Sequence, residues 1–217
     1  MAKVYSLHPK DPQTRNVDQI CAALRQGAVM LYPTDTVYAI GCDLNSKPAI
    51  DRVRSIKRLA NDKPLTFLCS SLSNIASYAY VSDPAYRLLK RLIPGPYTFL
   101  LPATKLVPKL VMEPKRRTTG IRVPDHAISQ ALLSALDRPI ISTSAASSLD
   151  TEERYLSKAE LFDELENRVD IIIDNDLPME WQVSTVLDLT GNEPWAVRRG
   201  LGWDAVADWV SEEEPMS

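Results

Sequence analysis

The 217-residue chain carries 25 Lys and Arg against 28 Asp and Glu, a formal net charge of −3, so no general electrostatic pull toward nucleic acid is expected. Its 45% hydrophobic and 24% charged residues are an ordinary globular mixture, sufficient at this length for one substantial core. Neither a long uninterrupted apolar segment nor a basic-then-apolar leader is found, which argues against a membrane span and Sec-type export and makes the cytoplasm the expected location.

Apolar residues at Val17, Ile20, Cys21 and Leu24 have the spacing of one buried helical face, with Gly27 suited to end the helix. Val29–Tyr32 then reads as a buried strand, stopped by Pro33, which cannot donate a ladder hydrogen bond. A second apolar run, Val37–Cys42, follows the polar island Pro33–Thr36, so the island is expected at the lip of a sheet. Local turn hydrogen bonding is the simpler role for its hydroxyls, and ligand contact the sharper one. Ile50, Val53 and Ile56 predict a helix with Pro48 in its first turn and Lys57 and Arg58 near its carboxyl end, where cations complement the dipole. Leu65–Cys69 is the next strand candidate.

Pro84–Leu92 reads as a helix capped by Asp83, and Pro94–Pro96 is a rigid turn before a strand at Tyr97–Leu101. The segment "TTGIRVP" is extended, Ile128, Ala131, Leu132 and Ala135 mark a helix that begins near His126, and "PIISTSAASS" is a strand running into a row of small hydroxyls. That row is either a solvated loop or a surface able to surround phosphate oxygens. Ser157 and Glu160 form a capping-box pattern for a helix to about Arg168, followed by the strand "VDIII". "STVLDLT", a strand around Trp195–Arg198 and an amphipathic "WDAVADWV" helix complete the pattern. The expectation is one α/β domain over residues 1–210 with an acidic tail over 211–217.

Cys21, Cys42 and Cys69 lie in apolar contexts without a CxxC pair and read as small buried hydrophobes; His8 and His126 are too isolated for a zinc site, and no metal ligands are predicted. Neither a GxGxxG fingerprint nor a GxxxxGK[ST] phosphate loop occurs. Two local basic clusters stand out, Lys57, Arg58 and Lys63, and Lys115, Arg116 and Arg117.

The ordered series "YPTDTVYAIGCD", "SIKRLANDKPL", "PGPYTFLL", "TGIRVP", "STSAASS" and "STVLDL" resembles the Sua5/YrdC/YciO family, nearest its YciO branch, from about Val17 to Gly200. The resemblance implies a single YrdC-like α/β domain with a twisted mixed sheet, flanking helices and a basic concave cavity. It also implies L-threonylcarbamoyladenylate synthase-like chemistry on L-threonine, bicarbonate or carbon dioxide, and ATP with Mg2+, in the pathway of tRNA threonylcarbamoyladenosine modification. Family members are also described as double-stranded RNA binders. On the matching motifs, Lys57 and Arg122 are the implied catalytic residues, and Thr34, Thr36, Tyr38, Ser142, Ser144, Ser184 and Thr185 the implied substrate and nucleotide contacts. A guanidinium suits bidentate contact with a carboxylate or phosphate. Arg58, Lys63, Lys115, Arg116 and Arg117 are the candidate contacts to tRNA or double-stranded RNA, the alternative function; a non-catalytic nucleotide sensor is the third. Three departures from the synthase pattern are visible: Leu59 where KxRPxxxPL has arginine, Ala146 where SAN has asparagine, and an apolar residue around Leu68 where a histidine is common.

Overall fold

The computed structural model describes residues 1–59, 64–145, 157–191 and 193–211. In chain order these form Lys3–Ser6 (β1), Thr14–Arg25 (α1), Val29–Tyr32 (β2), Ala39–Asp43 (β3), Lys47–Ile56 (α2) and Thr66–Leu68 (β4). Leu72–Tyr78 (α3), Asp83–Leu92 (α4), Tyr97–Pro102 (β5), Thr118–Arg122 (β6), Ala127–Leu136 (α5) and Ile140–Ser144 (β7) follow. Lys158–Leu165 (α6), Ile171–Asp174 (β8), Thr185–Asp188 (β9) and Trp195–Arg198 (β10) close the series. The strands join one mixed sheet in the order β1-β8-β2-β3-β7-β4-β6-β5-β9-β10. Its pairs β1/β8, β2/β8, β4/β6 and β5/β9 are parallel, and the others antiparallel.

Strand alternation sends two different sets of side chains to the two faces. Leu31, Ile40, Phe67, Phe99, Ile121, Ile141 and Leu187 belong to one apolar layer, shared with Val53 of α2, Ile75 of α3, Leu89 of α4 and Leu161 and Leu165 of α6. Tyr5, Met30, Ala39, Leu68, Ile140 and Ile173 belong to the other, beneath Ile20 and Leu24 of α1 and Ile128, Leu132 and Leu136 of α5. Fully burying each such side chain contributes about 1.5–3 kcal/mol, which is what fixes the strand register. The second layer stops at β4: no residue of β5, β6, β9 or β10 belongs to it. On that half of the sheet the second face is left without a described helix.

The three cysteines are buried, and burial pushes the Cys21 thiol up to about 11 and those of Cys42 and Cys69 to about 12. Three local readings change. Ser82, not Asp83, caps α4, its side chain accepting from Ala85 N, because the serine is the last extended residue before the helix. The Ser157/Glu160 capping box is present, but α6 ends at Leu165. The segment "WDAVADWV" forms only a 3-10 turn at Trp203–Ala205. The chain must return to β10 within a few residues, where Ser211 N donates to Pro194 O and Ala196 N donates to Ser211 O. Strand β1 and helix α3 have no counterpart among the predicted elements; α3 is announced only by its cap, Ser71, which accepts from Asn74 N. The acidic residues 212–217 lie outside the described residues.

Candidate functional site

A cavity of about 250 Å³ opens on the half of the sheet that α1 and α5 leave uncovered. Its described lining comes from seven parts of the fold: the β2–β3 turn (Thr34, Thr36), β4 (Thr66), β5 (Thr98), β6 (Arg122), β7 (Ser142, Thr143, Ser144), the start of β9 (Ser184) and β10 (Arg198). Hydroxyls and two guanidinium groups dominate the polar lining, a donor set suited to oxyanions rather than to a resident cation.

The β2–β3 turn answers why Pro33–Thr36 interrupts two apolar runs. Pro33 ends β2, and its carbonyl accepts a 3.0 Å hydrogen bond from Ser129 Oγ in the first turn of α5, which anchors the turn against that helix. His126 caps the same helix, its Nδ1 accepting from Ser129 N. Inside the turn, Thr34 Oγ1 donates to Val37 O at 2.8 Å and accepts from Thr36 N at 3.1 Å. Arg122 then docks on it: Nη1 donates to Thr36 Oγ1 at 2.8 Å and Nη2 to Asp35 Oδ1 at 2.5 Å. The Arg122 and Asp35 side chains are only 9% and 11% exposed, yet Arg122 Nε and Asp35 Oδ2 are buried without a hydrogen-bond partner among the described residues. Burial lowers the Arg122 pKa from its ordinary value and the adjacent Asp35 charge opposes that shift.

On the sheet itself, Ser142 Oγ lies 2.7 Å from Tyr32 Oη, and Thr98 Oγ1 lies 2.9 Å from Ser184 Oγ. Arg198 reaches in from β10, with Nε and Nη2 donating to Ser184 O at 3.1 and 2.9 Å. Burial lowers its pKa and the positive charge of Arg122 reinforces the shift; both guanidinium groups line the cavity.

Of the residues singled out from the sequence, the fold gathers Thr34, Thr36, Arg122, Ser142, Ser144 and Ser184 around this cavity. It sends three elsewhere. Tyr38 belongs to the opposite apolar layer, edge-on to Phe162 with its hydroxyl donating to Asn175 Oδ1 at 3.3 Å. Thr185 braces the chain turn after β10, accepting from Gly200 N and donating to Leu201 O. Lys57 caps α2 and is not among the described cavity lining; burial lowers its pKa and the charge of Glu164, on α6, opposes this. The departures divide similarly. Leu59 packs against the α2/α6 apolar layer while Leu68 lines the cavity. Ala146 and Lys63 lie outside the described residues. Arg58 is exposed at φ 48° beyond α2. Lys115, Arg116 and Arg117 are exposed on the chain before β6, but Arg116 is engaged, 2.9 Å from Asp188 Oδ2 and 3.1 Å from Thr190 Oγ1. Among the described residues no three His, Cys, Asp or Glu side chains gather in a group able to hold a metal, and no helix is long and apolar enough to cross a membrane.

The sequence reading missed Asp35, Thr66, Thr98, Thr143 and Arg198. Asp35 was legible only as a turn residue, and the arginine of "WAVRRG" gave no signal until β10 paired with β9.

A mixed sheet with one half-face open over hydroxyls and two arginines defines an α/β domain with a polar cavity. Residues 22–200 match the Sua5/YciO/YrdC family, described under the heading telomere recombination, and the chain belongs to that family. It is 40% identical to the uncharacterised protein YciO of Escherichia coli over 202 residues, 93% of this chain and 97% of the relative. It is 32% identical to the threonylcarbamoyl-AMP synthase of Vibrio vulnificus over 176 residues, 80% of this chain and 93% of that one. The crystal structure of E. coli YciO superposes with a TM-score of 0.88, covering 97% of this chain and 100% of that one at 39% identity. That of P. abyssi Sua5 complexed with L-threonine gives 0.85 at 25% identity, covering 97% of this chain and 62% of the Sua5 chain.

Proposed function

We propose that the cavity takes L-threonine and ATP and that the chain performs threonylcarbamoyl-AMP synthase-like chemistry, a step toward tRNA threonylcarbamoyladenosine. The observation that carries this reading is Arg122: a buried cation that lines a hydroxyl-rich cavity and is tethered on two of its nitrogens by Asp35 and Thr36. A carboxylate or phosphate oxygen is the partner a guanidinium at such a cavity is shaped for. The Vibrio synthase and the threonine-bound Sua5 supply the choice of substrate.

In this reaction the threonine amine adds to carbon dioxide, supplied as such or from bicarbonate, and loses a proton to give a carbamate. A carbamate oxygen then bonds to the α-phosphorus of ATP while the bond to the bridging oxygen breaks, and pyrophosphate leaves. No protein nucleophile is needed. Arg122 and Arg198 would offset charge on the carboxylate and phosphates, and Thr98, Ser142, Ser144 and Ser184 would orient the oxygens. Magnesium would enter bound to the nucleotide, as part of the substrate.

Calorimetric titration with MgATP and with L-threonine tests the reading: both should bind, and Arg122→Ala should weaken binding at least tenfold. Tight MgATP binding without turnover would move the protein to the nucleotide-sensor class. An RNA role is the weaker reading, because Arg116 of the exposed basic triplet is already held by Asp188.

A further inference from the structure

Tyr32 lies behind the cavity and is not among its described lining, yet its hydroxyl meets the Ser142 hydroxyl at 2.7 Å. The two residues sit on strands that are not neighbours. Tyr32 is on β2, Ser142 is on β7, and β3 runs between them with Gly41 paired to Ser142. The ring crosses β3 over that glycine: a Cβ at Gly41 would stand 2.9 Å from Tyr32 Cε1 and 2.9 Å from Ile140 Cγ2, closer than real Cβ contacts allow. Gly41 therefore serves as the seat for the phenol.

The direction of the hydrogen bond follows from counting protons. Tyr32 is fully buried and Ser142 Oγ, at 2.7 Å, is the partner of its hydroxyl among the described residues. Were serine the donor, the phenol proton would be stranded in the apolar interior, at a cost of about 1–3 kcal/mol. Tyrosine is thus the donor, and the serine proton is free to turn into the cavity that Ser142 lines. The Thr34/Thr36 pair has the reverse character. A carbonyl must accept at one end and a guanidinium must donate at the other, so Thr34 donates to Val37 O, Thr36 donates to Thr34, and Arg122 donates to Thr36. Both threonine protons are committed within the protein, and these residues hold Arg122 rather than contact an anion as donors.

Building on the nucleotide reading above, we infer that Tyr32 is a positioning residue: reaching across Gly41, it commits its proton to Ser142 and thereby turns the Ser142 hydroxyl into an oriented donor for a phosphate oxygen in the cavity. Nothing is transferred to or from Tyr32 in this role.

The test is a double-mutant cycle on the full chain, with Tyr32→Phe, Ser142→Ala and the double substitution titrated with MgATP and with inorganic pyrophosphate. Each single change should weaken binding about three- to tenfold, and the double should be no weaker than Ser142→Ala alone, because phenylalanine keeps the ring and removes only what acts through serine. Losses that multiply would assign Tyr32 a merely structural role and overturn the inference. Gly41→Ala is the second variant: it keeps both hydroxyls but displaces the ring, so it should reproduce the Tyr32→Phe loss, and unaltered affinity would count against the inference. A urea-unfolding cycle without ligand reads the bond itself. Ser142→Ala should cost stability in the unsubstituted chain and little in the Tyr32→Phe background; equal costs would refute the hydrogen bond on which the donor role rests. If the unmodified chain binds neither MgATP nor pyrophosphate, the site reading and the donor role both fall, whereas binding with multiplicative losses removes the donor role alone.

Discussion

Arg122 and Asp35 meet end-on, through the contact from Nη2 to Oδ1, and each keeps one buried atom without a partner among the described residues, Nε on the arginine and Oδ2 on the aspartate. A pair so buried is held by its geometry, and removing either partner leaves the other charge in a poor solvent. Asp35→Ala and Arg122→Ala are each expected to destabilise the fold by about 3 kcal/mol, and the double substitution by clearly less than the sum. Urea unfolding of the four chains measures this; additive losses would mean that the two groups do not depend on each other.

Helix α5 offers a pH test near the same turn. His126 must keep Nδ1 unprotonated to accept from Ser129 N, and burial lowers its pKa below the usual histidine value, with Asp35 opposing and Arg122 reinforcing the shift. A lowered folded-state pKa means that the unfolded chain takes up the proton first as pH falls. The contribution of His126 is therefore complete above about pH 6.5 and is lost as the pH drops below it. His126→Asn keeps a capping side chain without the titration, so its stability should fall less between pH 7 and pH 5 than that of the unsubstituted protein. Parallel curves would remove His126 from the acid sensitivity.

The departure at Leu59 has a structural meaning different from a vacant catalytic position. Its side chain packs against the apolar layer shared by α2 and α6, on the sheet face opposite the cavity. Leu59→Arg should lower stability by roughly 1–2 kcal/mol through the cost of a charged group at an apolar contact, and should not raise affinity for MgATP. Tighter nucleotide binding in a folded variant would show that this segment can reach the cavity.

The elements that form helices and strands from their own periodicity were legible beforehand: α1, α5 and β2 lie where Val17–Leu24, Ile128–Ala135 and Val29–Tyr32 placed them. Of the motif residues, Thr34, Thr36, Arg122, Ser142, Ser144 and Ser184 line the cavity, whereas Tyr38 and Thr185 do not. Tyr38 was misplaced for a reason the sequence could have given. In an extended chain it alternates with Val37 and Ala39, which line the cavity, and shares its side with Ile40 and Cys42, which are core. Arg198 and the Tyr32–Ser142 pair were not legible at all. The arginine depends on β10 pairing with β9, and the tyrosine reaches a serine 110 positions away across an intervening strand. Such contacts are set by sheet order, which no local pattern encodes.

Chemistry on threonine and ATP in the cavity around Arg122 is tested most directly by pyrophosphate release from MgATP in the presence of bicarbonate, with and without L-threonine. The prediction is threonine-dependent pyrophosphate release with matching formation of threonylcarbamoyl adenylate, reduced at least tenfold in kcat/KM by Arg122→Ala. Folded, MgATP-binding protein that releases no pyrophosphate above the no-threonine control, or an Arg122→Ala variant with unchanged turnover, would contradict it.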